Sequence, residues 1–315
     1  MSRTVLRKPV TLWIEQMLSG SRRAMSRILS LVENDREEAS EILRLISPRV
    51  GTAIRIGFTG PPGAGKSSLV TAYVKLLRRN QARVGVIAVD PTSPFSGGAL
   101  LGDRIRMNSI SLEKDVFVRS LATRGDMGGL AEAAGDMGDV MDACGFDYIL
   151  FETVGVGQSE LEIAEYADVT VVVLVPESGD AIQGMKAGLM EIADIFVINK
   201  SDREGADRFA SDLRGAMHLK HWEGWTPPAV MTVATQDKGL EEFHEHALRF
   251  IEHLRSSGEF EHRRRERVRR RIKRLVESRL VVDFWSTERL QKLEKAIESS
   301  QSPYEITLHL LDRNR

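Results

Sequence analysis

Apolar positions recur along this chain with two periods, and the changes of period mark its elements. From Thr11 to about Ser47 the spacing is helical. Leu12, Ile14, Met17 and Leu18 begin it, Met25, Ile28, Leu29, Leu31 and Val32 continue it, and Ile42, Leu43, Leu45 and Ile46 close it. Ser19-Gly20 and the charged run from Glu33 to Glu38 interrupt the pattern, and Ser47-Pro48 ends it. The pattern predicts two or three small helices packed beside a main domain. A partner surface and a plain solubilising extension fit it equally.

Beyond Pro48 the apolar residues gather into short, dense runs. They are AIRIGF (53–58), RVGVIAVD (83–90), 116–120, FDYILF (146–151), DVTVVVLVP (168–176), DIFVI (194–198) and 230–233. Helical spacing separates several of them, as with Leu69, Val70, Tyr73, Leu76 and Leu77. Strands alternating with helices imply right-handed crossovers and a mainly parallel sheet flanked by helices, hence an α/β fold. Ligand-binding residues then belong at the carboxyl ends of the strands. From about Gly258 the composition shifts to a run dense in arginine, with Val268, Ile272, Leu275 and Val276 near helical spacing and Trp285, Leu290, Leu293 and Ile297 beyond. That stripe suits self-association. The organisation expected is an N-terminal helical extension (1–50), an α/β domain (51–257) and a C-terminal helical region (258–315).

The first strand runs into GPPGAGKSS, in which Gly60, Pro61, Pro62, Gly63, Ala64, Gly65, Lys66 and Ser67 match G-x-x-x-x-G-K-[ST], with Ser68 next. A strand, a glycine-rich turn and a helix start gather backbone N–H groups toward an anion. Lys66 is expected at the β- and γ-phosphates of a nucleotide and the Ser67 hydroxyl at Mg²⁺. This is a P-loop. Asp90 and Glu152 each end an apolar strand, and Asp103 lies in the turn-rich loop after Asp90. Carboxylates so placed suit Mg²⁺ or the attacking water, and the Gly155 amide suits the γ-phosphate. Asp180 and Lys186 are the chemical groups of ESGDAIQGMKAG. Asn199, Lys200 and Asp202 form N-K-x-D after a strand. A carboxylate there accepts from guanine N1–H and the N2 amine, which adenine cannot offer, so GTP is expected over ATP. Ala234 stands where a small residue lets its amide meet the guanine carbonyl.

Composition removes several alternatives. The 315 residues carry a formal net charge of −1, which gives no general attraction to nucleic acid or membrane. The arginine-rich helix remains the one nucleic-acid candidate, and local pairing is its simpler reading. One cysteine, Cys144, forms neither an internal disulfide nor a thiolate zinc site. His218 and His221 have helical spacing, but no acidic or cysteine cluster joins them. No apolar run approaches ~20 residues, and no secretory leader is evident, so a cytoplasmic protein is expected.

Together GPPGAGKSS, VDPTSPFSGGALLGDRIRM, ATRGDMGGLA, FETVGVGQSE, ESGDAIQGMKAG and NKSD resemble the MeaB/ArgK family, G-protein chaperones of adenosylcobalamin-dependent acyl-CoA mutases. The resemblance implies a GTPase whose hydrolysis gates cofactor loading onto a mutase and removal of damaged cofactor. It implies that Asp90, Asp103 and Glu152 surround the metal and the hydrolytic water. Asp180 and Lys186 would lie in an additional switch coupling nucleotide state to the mutase, and the C-terminal region would be a homodimerisation arm. Two other classes compete. A nickel-chaperone type of metal-delivery GTPase should carry a Cys/His cluster, and a kinase of a transport-associated protein should leave phosphate on protein.

Overall fold

The computed structural model describes residues 8–34, 36–90, 107, 109–122, 127–153, 159–177, 188–222, 224–298 and 302–311. Chain contacts divide it into two units, Met1–Glu261 and His262–Arg315.

The first unit is built on a seven-stranded sheet, every pairing of which is parallel. Its strands are β1 (Ile54–Thr59), β2 (Val84–Asp90), β3 (Val116–Ala122), β4 (Tyr148–Glu152), β5 (Val169–Leu174), β6 (Ile195–Ile198) and β7 (Ala229–Met231). Their spatial order is β3-β2-β4-β1-β5-β6-β7. The chain leaves β1 toward one edge, returns through β4 and continues past β1 to the other edge. The glycine-rich turn follows β1, between the two directions of winding, where an open parallel sheet forms its ligand crevice. The expected α/β architecture is thus present, with strand limits within two residues of most of the apolar runs.

Three helices precede the sheet, α1 (Lys8–Leu18), α2 (Arg22–Asn34) and α3 (Arg36–Ile46). The next long ones are α4 (Lys66–Arg79), α5 (Met127–Ala143), α6 (Ala206–His218) and α7 (Leu240–Ser256). Alternation along each strand decides which helices it meets. From β2, Val84, Val86 and Ala88 join Leu69, Tyr73 and Phe243 of α4 and α7 in one core. Ile87 and Val89 of the same strand point oppositely and join Met25, Ile28, Leu29, Ile42, Met137 and Val140 in a second. The N-terminal helices therefore supply part of the sheet's cover. β5 is buried throughout, Val171 and Val173 on one side and Val172 and Leu174 on the other, which explains its unbroken apolar run.

Polar groups fasten the seams. Asp142, at 1% exposure, accepts from the backbone N–H groups of Gly51, Thr52 and Ala53 at 2.8, 3.1 and 3.0 Å, tying α5 to the chain entering β1. Arg55 reaches Asp139 at 2.6 Å and Asp142 at 3.3 Å, so a buried guanidinium is balanced by carboxylates.

The second unit is helical: most of α8 (Glu259–Phe284), then α9 (Thr287–Glu298) and α10 (Pro303–Leu311). Among its described apolar side chains Ile306 is buried, while Val268, Ile272, Leu275, Val276, Leu280 and Val281 are exposed.

Candidate active site at the carboxyl ends of the strands

The turn between β1 and α4 can be followed by asking where a side chain would fit. Gly60 has φ 132°, and a Cβ there would lie 2.1 Å from the Val173 carbonyl oxygen. Gly65 has φ 84°, and its Cβ would lie 2.4 Å from Asn199 Nδ2. Both positions therefore require glycine on conformation and on space. Gly65 is also the residue before α4, and no side chain caps that helix. The first-turn amides of such a helix suit an anion.

Lys66 and Ser67 are buried at the base of this turn. The Lys66 ammonium donates to the carbonyls of Gly60 at 2.7 Å and Pro61 at 3.0 Å. Its charge thus lies inside the loop curve. The Ser67 hydroxyl donates to Glu152 Oε1 at 2.6 Å, joining the helix start to the end of β4. Glu152 is 6% exposed. Its neighbour Thr153 holds that strand end against β1, the backbone N–H donating to Phe58 O at 3.1 Å and the hydroxyl to Thr59 Oγ1 at 3.1 Å.

A second loop locks onto the first. Asn199 follows β6, and its Nδ2 donates to Ala64 O at 2.9 Å. Its Oδ1 accepts from Thr232 Oγ1 and from the Ala234 N–H, both at 3.2 Å. One buried side-chain amide thus joins the glycine-rich turn to the segment after β7. Lys200, at φ 56°, extends along the turn and donates from Nζ to Gly63 O at 2.7 Å. Asp202 is exposed. Beside the second loop, a cleft of about 560 Å³ opens between α4 and the turn 234–237, lined by Ser68, Thr71, Lys75, Ala234 and Gln236.

The structure thus brings Gly60, Pro61, Pro62, Gly63, Ala64, Gly65, Lys66, Ser67, Glu152, Asn199, Lys200 and Ala234 together at one end of the sheet. Asp90 ends β2, paired with Ala122 of β3, and its side chain lies outside the described residues. Asp103, Gly155, Asp180 and Lys186 also lie outside them. Thr153 and Thr232 carry no signal in the sequence pattern. Each acts as a support whose partner, Thr59 or Asn199, is distant in the chain, and no spacing rule signals it.

The donor set fits magnesium: a serine hydroxyl and a carboxylate oxygen in contact, next to the anion-binding turn. Among the described residues no three His, Cys, Asp or Glu are grouped to hold a metal ion.

Comparison with known proteins gives this geometry a family. Residues 25–289 match the profile described as methylmalonyl Co-A mutase-associated GTPase MeaB. A Pyrococcus abyssi protein named as a GTPase is 53% identical over 84% of this chain and 82% of its own length. GTPase ArgK of Escherichia coli is 34% identical over 87% of this chain and 86% of its own. The mitochondrial methylmalonic aciduria type A homolog of Mus musculus is 32% identical over 85% and 69%. The crystal structure of a protein named LAO/AO transport system kinase superposes with a TM-score of 0.74 at 27% identity, covering 98% of each chain. The P-loop, the N-K-x-D loop braced against it and the match over most of the chain converge: this chain belongs to the MeaB family and is a GTPase.

Proposed function

We propose that this GTPase is a chaperone of an adenosylcobalamin-dependent acyl-CoA mutase, its GTP hydrolysis gating cofactor loading and protecting or reactivating the mutase. The family's description as mutase-associated supports the client class. The observation that carries the hydrolytic site is the Ser67–Glu152 contact of 2.6 Å beside the Lys66 ammonium.

In this reading the loop amides and Lys66 hold the β- and γ-phosphates, exchanging the Gly60 and Pro61 carbonyls for phosphate oxygens. Lys66 then meets the charge that builds during transfer, where a fixed ammonium in a buried site acts most strongly. Asn199 and Lys200 keep the base loop in register with the turn, and Asp202 accepts from guanine. Water attacks the γ-phosphorus in line, the bond to the β–γ bridging oxygen breaks, and GDP and phosphate leave. Ser67, Asp90, Asp103 and Glu152 would hold Mg²⁺, which supplies charge neutralisation on the phosphates. Glu152 and Asp103 orient the water. Asp180 and Lys186 carry the nucleotide state to the mutase.

The exposed apolar side chains from Val268 to Leu311 support the reading of the C-terminal region (258–315) as a homodimerisation arm, beyond an N-terminal extension (1–50) and a GTPase domain (51–257). No described helix is long and apolar enough to cross a membrane, and a cytoplasmic location accords with that. The likeness to a protein named as a transport system kinase favours a second reading, a kinase of a transport-associated protein.

GTP hydrolysis by the purified protein, with and without a candidate cobalamin mutase, tests the proposal. Acceleration by the mutase supports it. Hydrolysis indifferent to every such mutase removes the client, and labelled phosphate retained on a protein moves the reading to the kinase.

A further inference from the structure

The N-terminal helices admit a third role besides partner surface and solubilising extension. Arg22, at the start of α2, donates to four carbonyls where the chain turns into β3. Nη1 reaches Glu113 O at 3.2 Å, Lys114 O at 3.0 Å and Val116 O at 2.7 Å, and Nη2 reaches Ser111 O at 3.2 Å. Its guanidinium carbon also lies 5.4 Å from the centre of the Phe117 ring. Eleven residues along α2, Glu33 Oε2 accepts from Arg119 Nη2 at 2.6 Å, and Ser30 Oγ accepts from the same nitrogen at 3.2 Å. One helix therefore grips both the start and the middle of β3.

β3 is an edge strand, paired on one side with β2. An edge strand's free carbonyls need another partner, and Arg22 meets the first of them, Val116 O. The β3–β2 register is continuous from Val84↔Val116 to Asp90↔Ala122. Arg22 fixes the amino end of β3 and Asp90 pairs with Ala122 at its other end, so any effect of Arg22 on Asp90 runs the length of that strand. Lysine could not replace this arginine, because only a planar fork serves several carbonyls from two nitrogens.

We propose that Arg22 is a positioning residue for GTP hydrolysis, acting from the N-terminal helices through β3 on the strand end that carries Asp90. This rests on the reading of Asp90 as a metal-site carboxylate. Arg22 bonds the chain entering β3 and, among the described residues, none of the P-loop or N-K-x-D residues, so its loss should lower kcat while leaving KM nearly unchanged.

The test uses the full chain and four variants, Arg22→Met, Arg22→Lys, Arg27→Met and Asp90→Asn. Arg27 is the matched control, an arginine of α2 stacked 4.8 Å from the Trp13 ring with no bond to β3 among the described residues. Steady-state GTP hydrolysis is measured over a range of Mg²⁺ concentrations, well below each variant's Tm. Arg22→Met and Arg22→Lys should each lose roughly 5- to 10-fold in kcat, with KM for GTP within about 2-fold and a higher Mg²⁺ requirement. Arg27→Met should match the wild type. An unchanged kcat in Arg22→Met, or a loss equalled by Arg27→Met, overturns the inference and leaves Arg22 as a fold anchor. If Asp90→Asn hydrolyses GTP normally, the reading of Asp90 fails instead, and with it the proposed route from Arg22.

Discussion

The carboxyl end of the sheet and the C-terminal helices solve opposite problems. At the sheet end, polar groups are buried and matched: Ser67 with Glu152, Asn199 with three residues in two segments of chain, Thr153 with two residues of β1. In residues 262–315 apolar groups are exposed, Leu280 at 62% and Ile272 at 56%. A buried polar group needs its own partner, so the first region is specified residue by residue within one chain. An apolar stripe needs only cover, which another molecule can provide. In the proposed reading the contrast separates what this chain does alone from what it does in company.

The largest expected effect breaks the first region. Lys66→Ala removes the charge inside the loop, and hydrolysis should fall by roughly 10²-fold or more, as when other preorganised transition-state contacts are removed. Circular dichroism and Tm should show a folded protein, because the core around α4 is made by Leu69, Val70 and Tyr73. Retained GTPase activity would remove Lys66 from the site.

The second prediction breaks the other region. Leu280→Glu together with Val276→Glu places charges on the exposed stripe. Light scattering should show the protein shift from dimer to monomer, with basal hydrolysis within about 2-fold of the wild type. A mass unaffected by these charges would mean that the stripe is not the self-association surface.

A third prediction sharpens the comparison within the site. Asp202→Asn exchanges an acceptor-only carboxylate for an amide that also donates. GTP affinity should drop by about 10-fold or more, while affinity for the triphosphate moiety, probed with ITP, should change less. Equal losses for the two nucleotides would show that Asp202 does not read the guanine amine.

These outcomes depend on features of unequal legibility. The P-loop and N-K-x-D could be read from sequence because each is local: a few adjacent residues carry glycine conformations, a cation and a carboxylate. The strands were legible because alternation or full burial writes a short-range pattern, as in β5. Arg22, Arg55, Thr153 and Thr232 were not legible as partners. Their bonds span 94 positions for Arg22 to Val116, 84 for Arg55 to Asp139 and 33 for Thr232 to Asn199, and no period of helix or strand encodes such a pairing. The sharing of a core by the N-terminal helices and β2 and β3 was hidden likewise, since an amphipathic stripe says that a helix is covered and not by what.

The smallest expected effect lies on the helix that begins at the P-loop. Tyr73 of α4 meets His244 of α7, with 2.9 Å between the phenol oxygen and Nδ1, and the two rings are tilted with centres 5.7 Å apart. Burial lowers the His244 pKa below its ordinary value, against the opposing pull of Glu241 and Glu245. The unfolded chain therefore binds this proton more readily than the folded one. Stability from a neutral His244 is complete above the unfolded pKa of about 6.5 and is lost as pH falls through that value toward the folded one. In protonated imidazole both ring nitrogens donate, so Nδ1 can then only donate toward the phenol oxygen. His244→Gln, which keeps a hydrogen-bonding group without the titration, should flatten this part of the stability profile between pH 7 and 5. The measurement is denaturant unfolding at both pH values in wild type and variant. Parallel profiles would show that the Tyr73–His244 contact holds α4 against α7 without sensing pH.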